Sequence, residues 1–255
     1  METTTKCSDS FIIRLRKKIR CAQKVSKLKK ALPYRYVVHY EKDMHNELSA
    51  LCDKYGSDKG SINSENTPYP WSAHTYADFI HNRFSGQKNS IKKVFECGIG
   101  TNNPNLVSSM EEKGKPGASL RVWRDYFANA TVYGADIDQD ILFEEERIKT
   151  FYLDQTSKRS VDAMWSEVGE SDFDLIIDDG LHKFHAGVCL FENTIDKLAE
   201  MGTYIIEDVS MNAMLQYKDY FKGKNFHVEY VNLFRPNLKL SDNSLIVIRK
   251  KHSSL

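Results

Sequence analysis

Two apolar runs in this chain end in adjacent acids: Ile176-Ile177-Asp178-Asp179-Gly180-Leu181-His182 and Ile205-Ile206-Glu207-Asp208. Carboxylates gathered at one place repel and raise one another's pKa values unless a cation lies among them. Hard oxygen donors of this kind suit Mg²⁺, Mn²⁺ or Ca²⁺ better than zinc. His182 follows Asp179 by three residues, close enough to face the same site and act as a general base near neutral pH; His185 is the less favoured base. The plain alternative is that each acid pair caps a surface turn. It is weakened because both pairs follow apolar strands directly and a histidine accompanies one of them.

A third apolar run, Val94-Phe95-Glu96-Cys97-Gly98-Ile99-Gly100, ends in a Gly-x-Gly turn. Gly98 and Gly100 let the backbone bend sharply and approach a bulky ligand. Asp136, at the end of the next strand, is placed to accept the ribose hydroxyls of an adenosine-containing cofactor. The competing reading is that Asp136 or Asp138 caps the next helix. Asp154 and Gln155 offer a carboxylate and an amide to the edge of an adenine, and capping explains Asp154 equally well. Ser119 opens a helix whose free N–H groups could hold a carboxylate, and again capping competes.

The elements that must position these groups are set by hydrophobic period. From residue 92 onward short apolar strands alternate with helical stretches. Strands are expected at 93–97, 131–135, 148–152, 173–178, 202–207, 226–233 and 244–249, and helices at 118–127, 139–145, 158–167, 185–200 and 211–221. Strands separated by helices imply right-handed crossovers and a parallel sheet, with the last two strands antiparallel. The expected fold is therefore α/β, a Rossmann-like, seven-stranded, mostly parallel sheet with an N-terminal helical extension and lid. The chain divides into three regions: a basic amphipathic extension over 1–32, a helical and loop lid over 33–90, and a cofactor-binding domain over 91–255. In the first, Ile12, Leu15, Ile19, Ala22 and Val25 recur every three or four residues on a helix over 11–30 that Pro33 ends. Helices at 45–55 and 73–84 flank a long loop from Gly56 to Trp71, too long to be mere connection.

The 255 residues are 41% hydrophobic and 28% charged, the profile of an ordinary globular protein. No apolar run approaches the roughly 20 residues a bilayer demands, and residues 1–10 carry no signal-like apolar core. Cys7, Cys21, Cys52, Cys97 and Cys189 are scattered and odd in number, which reads as reduced thiols of a cytoplasmic protein. Residues 1–30 carry +8, so a chain of net charge +1 leaves −7 for the rest. An acidic body does not favour nucleic acid. The basic helix over 11–30 suits an anionic membrane surface or an acidic partner, and the plainer reading, equally good, is a solvated helix packed on its own domain or on a second subunit.

Together these motifs resemble the class I S-adenosylmethionine-dependent methyltransferases. More narrowly, they resemble the metal-dependent sugar O-methyltransferases of the macrocin and mycinamicin type and their relatives in bacterial surface-polysaccharide clusters. The resemblance spans about residues 50–250. It is carried by Asp53-Lys54-Tyr55-Gly56-Ser57-Asp58-Lys59, His74-Thr75-Tyr76, Phe95 to Gly100, Gly117-Ala118-Ser119-Leu120 with Trp123, Tyr133 to Asp138, Asp154-Gln155, Asp178-Asp179-Gly180-x-His182 and Glu207-Asp208. It implies Asp179, Glu207 and Asp208 as ligands of Mg²⁺ or Mn²⁺, with His182, beside Asp179, as the base. It implies an S-adenosylmethionine pocket of Glu96, Gly98, Gly100, Ser119, Leu120, Asp136, Ile137, Asp138, Asp154, Gln155 and Asp178. Tyr55, Lys59, His74 and Tyr76 would lie over the site as a lid and meet the acceptor.

The implied acceptor is a small molecule or nucleotide-linked sugar, such as a heptose bound for a capsule. A phosphate or phosphoramidate oxygen on a capsule precursor is the alternative, and a catechol is disfavoured. Two other classes stand beside the methyltransferase. A non-catalytic membrane-peripheral subunit of a glycan-assembly complex would need no S-adenosylmethionine. A dehydrogenase would bind NAD and leave the acid cluster without a purpose. The basic helix also offers a surface for a homodimer.

Overall fold

The computed structural model describes residues 3–32, 36–39, 45–62, 68–69, 71–107, 109–235 and 242–251. Pro33, the central part of the 56–71 loop (63–67 and 70) and Ser108 lie outside the described residues.

Nine strands form one sheet in the order β1-β8-β9-β7-β6-β2-β3-β5-β4. They are β1 (Tyr36–His39), β2 (Lys93–Cys97), β3 (Thr131–Asp136), β4 (Glu144–Glu145), β5 (Ile148–Tyr152), β6 (Phe173–Asp178), β7 (Leu198–Ile206), β8 (Phe226–Leu233) and β9 (Ser244–Lys250). The central strands β5, β3, β2, β6 and β7 run parallel. β9 is antiparallel to both β7 and β8. All seven expected strands are present, and the last pair is antiparallel as its short connection required. The two further strands are edge pieces. Tyr36–His39 pairs parallel with β8, and Glu144–Glu145 pairs antiparallel with β5.

Helices cover both faces, as a parallel sheet with apolar side chains on each side requires. They are α1 (Thr3–Ala31), α2 (Glu47–Tyr55), α3 (Tyr76–Phe84), α4 (Ala118–Tyr126), α5 (Lys158–Val168), α6 (Phe184–Glu192) and α7 (Met211–Tyr220). On one face α2, α3 and α4 bury Leu48, Ile80 and Trp123 against Val94, Val132 and Ile205. On the other, α5, α6 and α7 bury Trp165, Leu190 and Met214 against Phe95, Ile176 and Tyr204, with Leu28 and Leu32 from the end of α1. Neighbouring strand residues such as Val94 and Phe95 enter opposite cores, the period-two rule of a strand. Among the described residues no helix is long and apolar enough to cross a membrane.

Two expected helices are shorter than their patterns suggested. Residues 139–145 form a single 3₁₀ turn at 139–141 and then β4. The Thr150 hydroxyl bonds both the N–H and the C=O of Phe143, and the Phe143 ring lies 4.5 Å from the Arg121 guanidinium; both contacts draw the segment to the sheet edge. Residues 185–200 form α6 to Glu192, a 3₁₀ turn at 195–197 and the start of β7. The break is set by Thr194, whose buried hydroxyl accepts the Trp165 indole N–H at 3.0 Å.

Candidate functional site

Strand register brings the chemistry together. Cys97 pairs with Ala135 on one side and with Asp178 on the other, and Asp178 pairs with Ile206. The residues just past these strand ends therefore emerge from one edge of the sheet. Here β2 has a strand on each side whose chain order runs in opposite senses, the place where open α/β sheets bind ligands. Gly98 (φ +84°) makes the closest approach: a side chain there would collide with the Asp179 carbonyl and Gly180. Asp179 N–H in turn bonds Cys97 C=O at 2.9 Å, and Glu207 N–H bonds Asp178 C=O at 2.9 Å.

A cavity of about 650 Å³ opens over this edge. Its first side is walled by Gly98, Gly100, Asp136, Ile137, Asp154 and Gln155. Asp136 spends its oxygens on local backbone, accepting from Ile99 N–H at 2.9 Å and Asp138 N–H at 3.0 Å. Burial raises its pKa, with backbone hydrogen bonds pulling the other way. Asp138 caps the 3₁₀ turn after it through Asp140 N–H at 3.1 Å and accepts from Thr101, so for this residue the capping reading is realised. Ser157, not Asp154, caps α5. Gln155 braces the β6 exit loop: its amide donates to Asp178 Oδ1 at 2.5 Å, and its carbonyl accepts from Leu181 N–H at 2.8 Å.

Other expected pocket residues lie behind that wall. Glu96 is fully buried and accepts from Ser119 Oγ at 2.7 Å and Trp123 Nε1 at 3.0 Å. Leu120 belongs to the core, and Asp178 is buried beneath Gln155. Ser119 thus serves a carboxylate of its own chain. Asp138 too is absent from the cavity lining.

The other side of the cavity carries Asp58, Lys59, Trp71, His74, Tyr76 and Asp242, and between the two sides stand Asp179, His182, Glu207 and Asp208. Asp179, His182 and Asp208 each offer one ligand atom within 4.8 Å of the others. His182 Nε2 lies 3.3 Å from Asp179 Oδ1, and its Nδ1 lies 3.5 Å from Asp208 Oδ2. Glu207 is buried, with Oε2 bonded to Lys59 and Oε1 without a hydrogen bond. Two carboxylates and an imidazole converging in this way are a donor set that fits a hard divalent cation, and Glu207, an expected ligand, lies outside the group whose ligand atoms converge. His182 (φ +55°) and Asp208 (φ +52°) both hold a left-handed backbone, a strain that surrounding structure must maintain.

Electrostatics reflect the crowding. Burial opposes charge on His182, but its hydrogen bond to Asp179 and the charge of Asp208 outweigh it and lift its pKa to about 10. His74 behaves alike: burial opposes, Asp242 and Asp208 prevail, and its pKa rises to about 9. Burial pushes the Glu207 carboxyl up, with Asp179 and Glu96 adding to Lys59's incomplete relief. Asp179 stays well below the usual carboxylate range because Lys59 and His182 overcome its burial.

The lid residues divide. His74 and Tyr76 stack with ring centres 4.7 Å apart, and Tyr76 O–H donates to Asp208 at 2.5 Å. Lys59, part of the cavity wall, is nearly sealed from solvent, and its ammonium is taken by carboxylates. Tyr55 points elsewhere, donating to Asp125 on α4 at 2.5 Å. His185 is exposed on α6, outside the cavity wall. Trp71, Asp58 and Asp242 are site residues that sequence reasoning missed. Trp71 stacks on Tyr69 at 5.2 Å and donates to Asp58 at 3.0 Å. Asp58 stands beside Lys59 in a motif that carries the resemblance, whereas no periodicity marks Trp71 or Asp242.

No family model matches the chain. Among curated proteins, the 8-demethyl-8-alpha-L-rhamnosyl tetracenomycin-C 2'-O-methyltransferase of Streptomyces olivaceus is 29% identical over 162 residues, 64% of this chain and 37% of that protein. Demethylmacrocin O-methyltransferase of Streptomyces fradiae is 28% identical over 161 residues, 63% of this chain and 38% of that protein. The chain thus spans less than two fifths of the curated relatives it matches. Among solved structures, the MycE methyltransferase of the mycinamycin biosynthetic pathway, in complex with Mg and SAH, aligns over 82% of this chain and 55% of its own, with a TM-score of 0.57 and 21% identity. The chain shares the fold of that methyltransferase, and its sequence is similar to the sequences of these O-methyltransferases.

Proposed function

We propose that this protein is an S-adenosylmethionine-dependent, divalent-cation-dependent O-methyltransferase whose acceptor is a sugar hydroxyl. The observation that carries the reading is the convergence of Asp179, His182, Glu207 and Asp208 on the same cavity that the Gly98–Gly100 turn and Asp136 wall on its other side. The curated relatives support it: both are O-methyltransferases, and one is named for a rhamnosyl group.

Asp179 and Asp208 are the residues that would hold Mg²⁺ or Mn²⁺, with the unpartnered Oε1 of Glu207 as a further donor. When bound, S-adenosylmethionine supplies the electrophilic methyl group and the divalent ion supplies charge that acidifies the acceptor hydroxyl. His182 takes the proton at Nδ1, because Nε2 is anchored on Asp179 by a contact of 3.3 Å. With both carboxylates facing it alone, this imidazole holds its proton at neutral pH. Charge neutralisation at Asp179 and Asp208 is what would release it to act as a base. Tyr76, by its hydrogen bond to Asp208 Oδ1, fixes the direction of that carboxylate. The walls of the cavity would hold the acceptor against the methyl donor, and positioning of that kind supplies much of the rate of a group transfer.

The acceptor side favours a neutral hydroxyl. Asp58, Asp208 and Asp242 line it beside His74, and Trp71 adds a flat apolar face. A phosphate or phosphoramidate oxygen would meet these carboxylates, so that alternative ranks second. A nucleotide-linked heptose of a surface polysaccharide remains the finer candidate from the motif resemblance, whereas the relatives are named for a rhamnosyl tetracenomycin and for demethylmacrocin.

The test is incubation of purified protein with S-adenosylmethionine, Mn²⁺ and a panel of neutral glycosides, nucleotide sugars and sugar phosphates, read by mass gain of one methyl group. The expected result is methylation of a sugar hydroxyl, abolished by EDTA and restored by Mn²⁺. Asp208→Asn lowers kcat/KM by about 10³-fold, the loss of several kcal/mol of charge stabilisation. An undiminished rate in EDTA sinks the metal role.

A further inference from the structure

Lys59 is placed where neither a lid residue nor an acceptor contact needs to be. It comes from the segment between α2 and α3, yet its side chain is 3% exposed and its ammonium reaches three carboxylates at three strand ends. Nζ lies 3.0 Å from Glu96 Oε1 near the end of β2, 2.6 Å from Asp179 Oδ2 after β6, and is bonded to Glu207 Oε2 after β7. Of the three N–H donors of an ammonium, two go to Asp179 and Glu207 as hydrogen bonds, while Glu96 Oε1 is held as an ion pair without a hydrogen bond.

Each carboxylate gives Lys59 one oxygen and turns the other to a different task. The second oxygen of Asp179 faces His182 at 3.3 Å. The second oxygen of Glu96 receives Ser119 and Trp123. The second oxygen of Glu207 has no hydrogen-bond partner. Among the described residues no other cation is paired with Glu96 or Glu207. The backbone around Lys59 is itself held: Lys59 C=O accepts from Ala77 N–H at 2.8 Å, and Asp58 C=O accepts from His74 N–H at 2.7 Å.

We propose that Lys59 is the resident counter-ion of the acid cluster, a positioning residue that holds Asp179 and Glu207 together when no divalent ion is bound and leaves the second oxygen of Asp179 to the group it forms with His182 and Asp208, where the ion would sit. This rests on the proposed metal role. Three carboxylates (Glu96, Asp179 and Glu207) face one ammonium, and the two negative charges left over equal the charge of one divalent ion.

The test needs no acceptor. Wild type, Lys59→Met, Glu96→Gln and the double variant Lys59→Met/Glu96→Gln, all full chains, are melted in EDTA and in saturating Mn²⁺. Removing the ammonium leaves buried charges unmatched. Lys59→Met should melt well below wild type in EDTA and recover in Mn²⁺, widening the gap between the two conditions by about 5 °C or more, as a shift of this kind requires in a domain of this size. The double variant, with one acid removed as well, should regain at least about half of the loss in EDTA, a non-additive result that residues in contact produce. An equal loss in both conditions, with additive effects of the two substitutions, makes Lys59 a packing residue and overturns the proposal. Failure of both Lys59 variants to fold even with Mn²⁺ overturns it too. If wild type itself shows no Mn²⁺ shift, the metal role falls separately, and the Lys59–Glu96 coupling in EDTA still decides whether Lys59 is a counter-ion.

Discussion

Asp136 shows how one side chain builds a binding surface by what it does to backbone. Its two oxygens hold Ile99 and Asp138 N–H groups, and so fix both the Gly98–Gly100 turn and the start of the next loop on the cavity wall. Asp136→Ala removes two buried acceptors, worth about 1–3 kcal/mol. S-adenosylmethionine should bind about tenfold to a hundredfold more weakly by calorimetry, while the Mn²⁺-induced rise in melting temperature is unchanged, because Asp136 touches neither Asp179 nor Asp208. An unchanged affinity would show that the turn holds without it. At this scale the sequence showed well which residues stand at strand ends, since an acid directly after an apolar run has little else to do there. It did not show which way they point. Glu96 turns into the α4 layer to meet Ser119 and Trp123, and Lys59 turns into the acid cluster. Both directions depend on helix packing that no local pattern encodes.

Between elements, α2 and α4 are joined by a clasp outside the cavity. Asp125 on α4 accepts from Tyr55 at 2.5 Å and Lys54 at 3.0 Å, both on α2, and from Arg124 at 2.9 Å. Slight burial resists its charge, but these hydrogen bonds prevail and lower its pKa from 3.8 to about 2. A carboxylate depressed in the folded state stabilises the fold at pH values above 3.8, and this is lost as pH falls through about 2. Asp125→Asn should therefore lower stability by about 1 kcal/mol at pH 7. The difference from wild type should shrink once pH drops below 3.8 and vanish near 2, read by urea unfolding at several pH values. A difference independent of pH would mean geometry, not charge, makes the clasp. Element type was legible wherever apolar period ran unbroken, as in β2, β6 and α5. It failed where a tertiary contact cut the period: Thr150 at Phe143, and Trp165 at Thr194. The edge strand β1 was absorbed into the lid although Tyr36-Val37-Val38-His39 is a β-branched and aromatic run, which favours strands.

For the whole molecule the open matter is α1, whose two halves behave differently. Its final turns are docked: Val25, Leu28 and, just past its end, Leu32 are buried, the two leucines against the face that carries α5, α6 and α7. Upstream, Ile12, Leu15 and Ile19 form a second apolar line at helical spacing, with exposures of 44%, 46% and 49%. At roughly 100° per residue this line lies about a third to a half of a turn away from Val25 and Leu28, so the single face expected over Ile12 to Val25 divides, with Val25 docked and the others exposed, and one docking surface cannot cover both. Lysines and arginines flank it, while the rest of the chain carries the balancing negative charge. Substituting each line with aspartate separates the two. Leu28→Asp places a charge in the core and should cost about 3 kcal/mol or more in urea unfolding. Ile19→Asp should stay within about 0.5 kcal/mol, as exposed substitutions do. If instead Ile19→Asp destabilises comparably, and the loss grows with protein concentration as mass action dictates for an assembled state, the upstream line is covered by a second copy of the chain. Sedimentation of wild type against Ile19→Asp would then show a dimer giving way to a monomer.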